Sequence, residues 1–466
     1  MDYSLLINKI DELLIIWDNK LVGNLYKDLK SKEINFRYDH DWINDVGVPI
    51  SLSLPIKEGD YNTLETEAFF GNLMPTDSAL RSLREYHRLP ENDIFTLLTH
   101  FGRDCPGALI ITNHNYKLGQ DNRDYTDITD LIYKGFRNDD FGRLTPFILK
   151  SSVPKLTEAQ YKLSLVYSDG KFLVPGFLSF APTTHVLKFS PKDYKNLCLN
   201  EAFCLEMAKH VNLPVPGFEV LDFKNNFGLL IERVDRAVDG GTVHRRHREN
   251  FYQALGYGPQ ARSDPSLPRT PGQSRAPGLA GLSGLPGLSG LPGVPGYRDC
   301  YNLISGYRVR DRQRSMADFL KLTVFNILIG NGHQSAKDFS VLYHLDMAKK
   351  NDYYLTVSPF HDLSSSRAYQ PISSPLGMPI GQAEYFEVLD DLQYKLFLSD
   401  VNASVETVTG TVTSVVTSLK DFFVSRSNDR ESPYLRANVF NRLKNIFCVN
   451  SLKLINIVSR LHKNLG

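Results

Sequence analysis

An excess of either charge is what this sequence most clearly lacks. Its 53 lysines and arginines are matched by 52 aspartates and glutamates, for a formal charge of +1. That balance argues against the broad phosphate-neutralising surface that nucleic-acid binding needs. Arg245, Arg246 and Arg248 form a local exception, which reads as a solvated, charged turn with an anion contact as the alternative. Cysteine is scarce as well. Cys105, Cys198, Cys204, Cys300 and Cys448 are odd in number and show no Cys-x-x-Cys or mixed Cys/His spacing, so neither a disulfide framework nor a structural zinc site is expected. Reduced thiols are expected instead. At the amino terminus no basic segment precedes the apolar stretch, and Asp11 and Glu12 interrupt it, which fits neither a secretory signal nor a spanning helix. The chain reads as cytoplasmic, with no membrane partner.

What is present is an ordinary globular composition, with 42% hydrophobic, 23% charged and 11% aromatic residues. A chain of 466 residues exceeds one ordinary core, so two or three structural units are expected. Apolar runs from Leu13, broken at Asp18-Asn19-Lys20 and followed by Ile34 to Tyr38, predict a small antiparallel sheet that opens with a hairpin. Helices are predicted over Thr66 to Leu73, Ala79 to Arg88 and Asn92 to Phe101, the last capped by Asp93. Beyond about residue 145 the candidate strands are Tyr161 to Val166, His185 to Phe189, Phe218 to Phe223 and Phe227 to Ile231. A helix from about Leu199 to Val211 interrupts them and ends before Pro214. From Arg246 onward the pattern is mainly helical, and Met316 to Ile329 is its strongest helix, read with one apolar face. Valines 405, 408, 412, 415 and 416 lie among threonines, a strand-like composition. Their spacing of three and four predicts a helix that Leu419, Phe422 and Phe423 extend.

An insert begins near Arg262 and becomes a Gly-x-y run from Gly278 to Gly296. One glycine frame of this length is too short for a collagen triple helix, so a flexible, partly polyproline-II loop is expected inside the helical part.

Phosphoryl transfer needs a phosphate contact, carboxylates for a metal, and a group that orients the acceptor hydroxyl. Lys188 ends the candidate strand Thr184 to Lys188, and Glu201 lies on the following helix, the arrangement in which a kinase lysine meets a helix carboxylate. The segment Ile231 to Arg236 follows an apolar strand as a kinase hinge does, although alone it is a charged strand end. A glycine-rich break at Gly330-Asn331-Gly332 leads through His333 to Asp338-Phe339, and a strand later comes Pro359-Phe360-His361-Asp362. His333 is open to three roles there, as base, ligand or cap.

These residues carry a resemblance to HipA, the serine/threonine kinase component of bacterial toxin–antitoxin systems, over nearly the whole chain. Phe36-Arg37-Tyr38, Pro49 to Pro55, Phe69 to Pro75 and Phe101 to Ala108 are each similar to that family's amino-terminal signature, in order. Ala159-Gln160-Tyr161-Lys162 resembles its phosphate-loop stretch, Thr184 to Lys188 its ATP-contacting strand, and Glu232 to Arg236 its hinge. The resemblance implies an α+β, two-lobed protein-kinase fold with an amino-terminal α+β subdomain (1–145), a strand-rich lobe (146–236) and a mainly helical carboxy-terminal lobe (237–466) that holds the insert at about 262–298. It also implies ATP and Mg2+ as cofactors. Lys188, Glu201 and Gln160 are then nucleotide contacts, Glu232 and Val234 hinge contacts, and Asp338 and Asp362 metal ligands.

The chain departs from the family's Asp-x-His-x-Lys-Asn-Phe at three places, where His333, Ser335 and Asp338 stand for aspartate, histidine and asparagine. The phosphate-loop glycine is Glu158, and the self-phosphorylated serine aligns with Lys155 or, with a short insertion, Ser152. Two functions are therefore expected. One is a kinase toxin that phosphorylates a protein, with an aminoacyl-tRNA synthetase as the family-type target. The other is a pseudokinase that binds a HipB-like DNA-binding antitoxin and meets DNA only through it.

Overall fold

The computed structural model describes residues 11–74, 84–85, 88–89, 93–113, 124–138, 140–144, 147, 161–176, 179–190, 194–224, 226–259, 294–306, 308–369, 375–429 and 431–463. The Gly-x-y run as far as residue 293, most of the helix expected over Ala79 to Arg88, and Ser152, Lys155, Glu158 and Gln160 lie outside them.

The first sheet is antiparallel, with β1 (Glu12–Trp17), β2 (Lys20–Lys27), β3 (Ile34–Tyr38), β4 (Asp60–Tyr61) and β5 (Ile110–Thr112) in the order β4-β3-β2-β1-β5. Asp18 and Asn19 join β1 to β2 with φ of 49° and 60°. Asp and Asn tolerate this left-handed backbone better than other side chains, and two-residue hairpin turns require it. Helix α1 (Thr63–Phe70) starts in a capping box between Asn62 and Glu65, and α2 (Ile94–Phe101) is capped by Asp93, which accepts from Thr96 N.

The second sheet runs β10-β11-β9-β7-β8-β6. Its strands are β6 (Tyr125–Asp127), β7 (Tyr161–Ser168), β8 (Lys171–Pro175), β9 (His185–Phe189), β10 (Phe218–Asp222) and β11 (Phe227–Glu232). Helix α3 (Thr129–Asn138) adds Ile132 and Phe136 to a small core with Leu163, Leu165, Leu187 and Phe189. Strand β6 and helix α3, which precede the boundary expected at 145, thus lie with the second sheet. The cause is that β6 pairs with β8, a contact that sequence spacing does not reveal. Helix α4 (Leu197–His210) packs against β11 and β9 and buries Leu199, Ala202, Phe203 and Leu205.

Beyond the hairpin β12 (Arg236–Asp239) and β13 (Thr242–Arg245), β14 (Arg248–Asn250), β15 (Ser340–Leu345) and β16 (Tyr353–Val357) form a third sheet. The expected charged turn at Arg245, Arg246 and Arg248 is therefore two strands, with only Arg246 exposed. A short helix, α5 (Phe251–Leu255), follows β14. Helices α6 (Arg312–Ile329), α7 (Val405–Arg426) and α8 (Val439–Lys463) pack on one another. The single apolar face expected for α6 proves too narrow, since all residues from Leu322 to Ile329 are buried. On α7 periodicity prevails over propensity: Val408, Val412, Val415, Val416, Leu419, Phe422 and Phe423 are buried, whereas Val405 is only partly covered. One continuous core runs from β1 through α4 and α6 to α8, which fuses the amino-terminal unit to the helical lobe. Among the described residues no helix is long and apolar enough to cross a membrane. All five cysteines are free thiols.

Candidate active site

Register across the second sheet creates the electrostatic problem around which the site is built. In the β7–β9 pairing Lys162 stands directly opposite Lys188. Like charges in that position repel, and both side chains are buried, at 6% and 4% exposure. Two carboxylates resolve the conflict. Glu201 on α4 accepts a hydrogen bond from Lys188 Nζ, and Asp362 Oδ1 accepts from Lys188 Nζ at 2.5 Å and from Lys162 Nζ at 2.8 Å. Burial pulls the Lys188 ammonium down, but Asp362 and Glu201 outweigh it and hold the group above the ordinary lysine range.

The other oxygen of Asp362 is held as well. His361 Nδ1 lies 3.0 Å from Asp362 Oδ2, and His361 Nε2 lies 2.7 Å from Arg248 Nη2. Arg248 also donates from Nε to Ser340 Oγ at 2.8 Å. Burial and the facing guanidinium lower the His361 pKa, against the pull of Asp362. Asp362 itself sits in the left-handed region, with φ of 57°, a conformation that costs energy for any side chain and recurs at functional sites.

Lys162, Lys188, Arg248, His361 and Asp362 line a cleft whose apolar wall is Val186, Ile231 and Val234, with Leu73, Met74 and Pro106 contributed by the amino-terminal unit. Glu232 and Val234 border the same cleft, where β11 ends. Behind them the side chains of the hinge segment turn inward. Arg233 Nη1 and Arg236 Nη2 donate to the two oxygens of Asp104 at 2.9 and 2.7 Å, Arg245 Nη1 adds a bond to Oδ1 at 2.9 Å, and Thr183 Oγ1 donates to Oδ2 at 2.7 Å. Burial raises the Asp104 carboxyl, but the three guanidiniums hold it down at about 2. Gly107, with φ of 91°, donates its N–H to Asp235 Oδ2 at 2.6 Å, and a Cβ there would stand 2.8 Å from Arg248 O. Glycine is required at that approach.

The glycine-rich break follows the end of α6. Asn331 Nδ2 donates to Asn326 Oδ1 at 3.1 Å, and Gly332 N to Ser366 Oγ at 3.0 Å, which hold the loop against its neighbours. His333 is exposed, and neither it nor Asp338 is among the described residues that line the cleft. Asp338 Oδ2 caps a short helical turn, accepting from Ser335 N at 2.7 Å and from Ser335 Oγ at 3.2 Å. Lys337 does face the cleft, with Nζ donating to Pro259 O at 2.5 Å.

Of the residues expected in a site, then, Lys188, Glu201 and Asp362 meet, Glu232 and Val234 flank the same cleft, His333 is exposed, and Asp338 caps the turn beside the cleft residue Lys337. Gln160 and Glu158 lie outside the described residues. The cleft adds Lys162, Arg248, His361 and Lys337. A lysine inside an otherwise apolar strand, the cue that singled out Lys188, was also available for Lys162. Arg248 and His361 offer no such cue, because only strand pairing brings them together.

A strand-rich lobe and a helical lobe around a cleft whose wall pairs a strand lysine with a helix carboxylate define a protein-kinase-like fold. Residues 156–420 match the HipA-like C-terminal domain and residues 13–112 the HipA N-terminal domain. The chain belongs to the HipA family. It is 28% identical over 433 residues to the putative kinase Y4mE of Sinorhizobium fredii, covering 91% of this chain and 93% of that one. It is 24% identical over 370 residues to the serine/threonine-protein kinase toxin HipA of Shewanella oneidensis, with 77% and 76% covered. Among solved structures, the Shewanella oneidensis HipA, HipB and operator DNA complex matches with a TM-score of 0.69 at 19% identity, over 96% of this chain and 97% of that one. At that identity the likeness is one of fold.

Proposed function

We propose that the cleft binds ATP with Mg2+ and transfers the γ-phosphoryl group to a serine or threonine hydroxyl of a protein. What carries this reading is Lys188, held between Glu201 and Asp362 beside an apolar slot that ends at the hinge. Lys188 and Lys162 supply cations to the phosphates, and the backbone around Glu232 and Val234 faces the base. Carboxylate oxygens are the donors that Mg2+ takes, so Asp362, joined by Asp338 through the oxygen its cap leaves unused, fits the metal. The bound metal would neutralise charge on the transferring group. In the reaction the acceptor oxygen bonds to the γ-phosphorus, the bond to the bridging oxygen of ADP breaks, and the hydroxyl proton passes to a base. Family likeness suggests an aminoacyl-tRNA synthetase as acceptor, arrest of growth as outcome, a HipB-like antitoxin as partner with DNA reached through it, and a cytoplasmic setting.

A second reading, a pseudokinase that binds its partner without turnover, is favoured by one observation. The exposed His333 stands where the family has a carboxylate, and Asp338 is engaged in a cap. Labelled ATP distinguishes the two. Label is expected in the protein itself or in a synthetase, and absent with Asp362→Ala; equal labelling by the two proteins would overturn the kinase reading. If the missing carboxylate limits the rate, His333→Asp combined with Asp338→Asn raises it by about 10²–10⁴. Tight ATP binding with no turnover in any variant would establish the binding module.

A further inference from the structure

We infer that Arg248 and His361 act as a positioning pair that keeps Asp362 aimed at a divalent cation once nucleotide draws the lysines away. The inference rests on the reading of Asp362 as a cation ligand in an ATP cleft.

The two oxygens of Asp362 are held by different means. Oδ1 is shared by Lys188 and Lys162, whereas Oδ2 faces His361 Nδ1. Triphosphate oxygens compete for both ammonium groups, and a lysine that turns toward them releases Oδ1. The His361 contact depends on neither ammonium group. Its polarity follows from the donor inventory. A guanidinium has donors only, so His361 Nε2, 2.7 Å from Arg248 Nη2, must accept, which leaves the ring proton on Nδ1 to donate to Asp362 Oδ2. Arg248 thereby selects the tautomer that can hold the carboxylate, and its bond to Ser340 Oγ anchors it to β15. Asp362 needs such a hold because its left-handed backbone is intrinsically unfavourable. Outer partners of metal-binding groups set orientation and basicity in just this way, and their loss typically weakens metal binding by about 10–100-fold.

The test is Mn2+ binding, followed by its EPR signal with a non-hydrolysable ATP analogue present, alongside analogue binding in EDTA. Arg248→Gln and His361→Ala are each expected to weaken Mn2+ binding by about 10–100-fold, a larger loss than either causes in analogue binding in EDTA. Arg248→Lys, which keeps a donor for Nε2, retains most of the affinity. The double variant is no weaker than either single one, because both changes break one chain. Unchanged Mn2+ affinity in the single variants, or additive losses in the double, would overturn the pair. Analogue binding lost together with Mn2+ binding would overturn it too, since the two residues would then be general props of the cleft. If the unaltered protein binds no analogue, the ATP reading itself fails. Analogue binding with normal Mn2+ binding in both variants removes the positioning pair alone.

Discussion

Asp362 lies between two lysines that strand pairing has forced into opposition, so its charge serves the fold as well as the site. Removing one partner from a buried ion cluster leaves the other charges without compensation, at a cost of about 3–5 kcal/mol. Asp362→Asn is expected to lower the free energy of unfolding by that amount in urea titration, and adding Lys162→Met should recover part of it. An unchanged midpoint would mean that water compensates the ammonium groups and that the cluster is less closed than its geometry implies. Activity controls with Asp362→Ala belong well below the melting temperature of the variant. Lys188, Glu201 and Asp362 were legible as residues because each occupies a position with a chemical expectation attached: an apolar strand, the helix that follows, a loop after a strand. Lys162 opposite Lys188, and Arg248 against His361, depend on cross-strand register, which composition and spacing do not specify.

At the scale of elements, the loop after α2 reaches across to the hinge and holds it through one carboxylate. Asp104 accepts from three arginines and a threonine, and all four donors come from beyond residue 180. Asp104→Asn leaves those guanidiniums sharing a neutral amide, with an expected loss of about 3–5 kcal/mol. Cleavage by protease between β5 and β6 should also be faster in the variant, because that is where the amino-terminal unit would loosen. The pH dependence has a definite sign. Asp104 has a folded pKa of about 2, below its ordinary value near 3.8, so its contribution is complete above the ordinary value and is lost as pH falls toward 2. Acid titration of unfolding should therefore show a smaller slope between about pH 4 and 2 in Asp104→Asn than in the parent. Identical slopes would remove Asp104 from the acid response. That residues 232–236 follow an apolar strand could be read from the sequence, but the inward turn of their arginines could not. Arg233, Arg236 and Arg245 look like surface charges until Asp104, remote in sequence, arrives.

Across the whole molecule, the amino-terminal unit and the helical lobe meet at another buried carboxylate. Glu249 on β14 accepts from Ser51 Oγ at 2.6 Å, from Leu52 N at 3.1 Å and from the Tyr343 hydroxyl. Burial is the largest influence and raises its pKa to about 7, against the three donors that lower it. Between its ordinary value near 4.5 and about 7 the unfolded chain has released this proton while the folded one retains it, so stability declines as pH rises through that window. Shifts of that size correspond to roughly 3 kcal/mol. Glu249→Gln should flatten the decline, seen as a smaller change in melting temperature from pH 5 to 8. An unaltered profile would show that the donors keep Glu249 ionised in the folded state.

The sequence by itself determined the family, the mixed α+β fold and most of the elements, because periodicity, caps and ordered motifs are local properties that survive without coordinates. It also determined which residue types stand at the altered positions, His333, Ser335, Asp338 and Glu158. Tertiary structure alone decided that β6 and α3 join the second sheet, that the carboxy-terminal half of α6 is buried on every side, and that His333 is exposed while Asp338 caps a short turn. It alone placed Arg248 and His361 behind Asp362. Each of these depends on register between strands or on contact between segments far apart in the chain, and such contacts are selected by the burial and charge balance of the assembled core, which no single segment encodes.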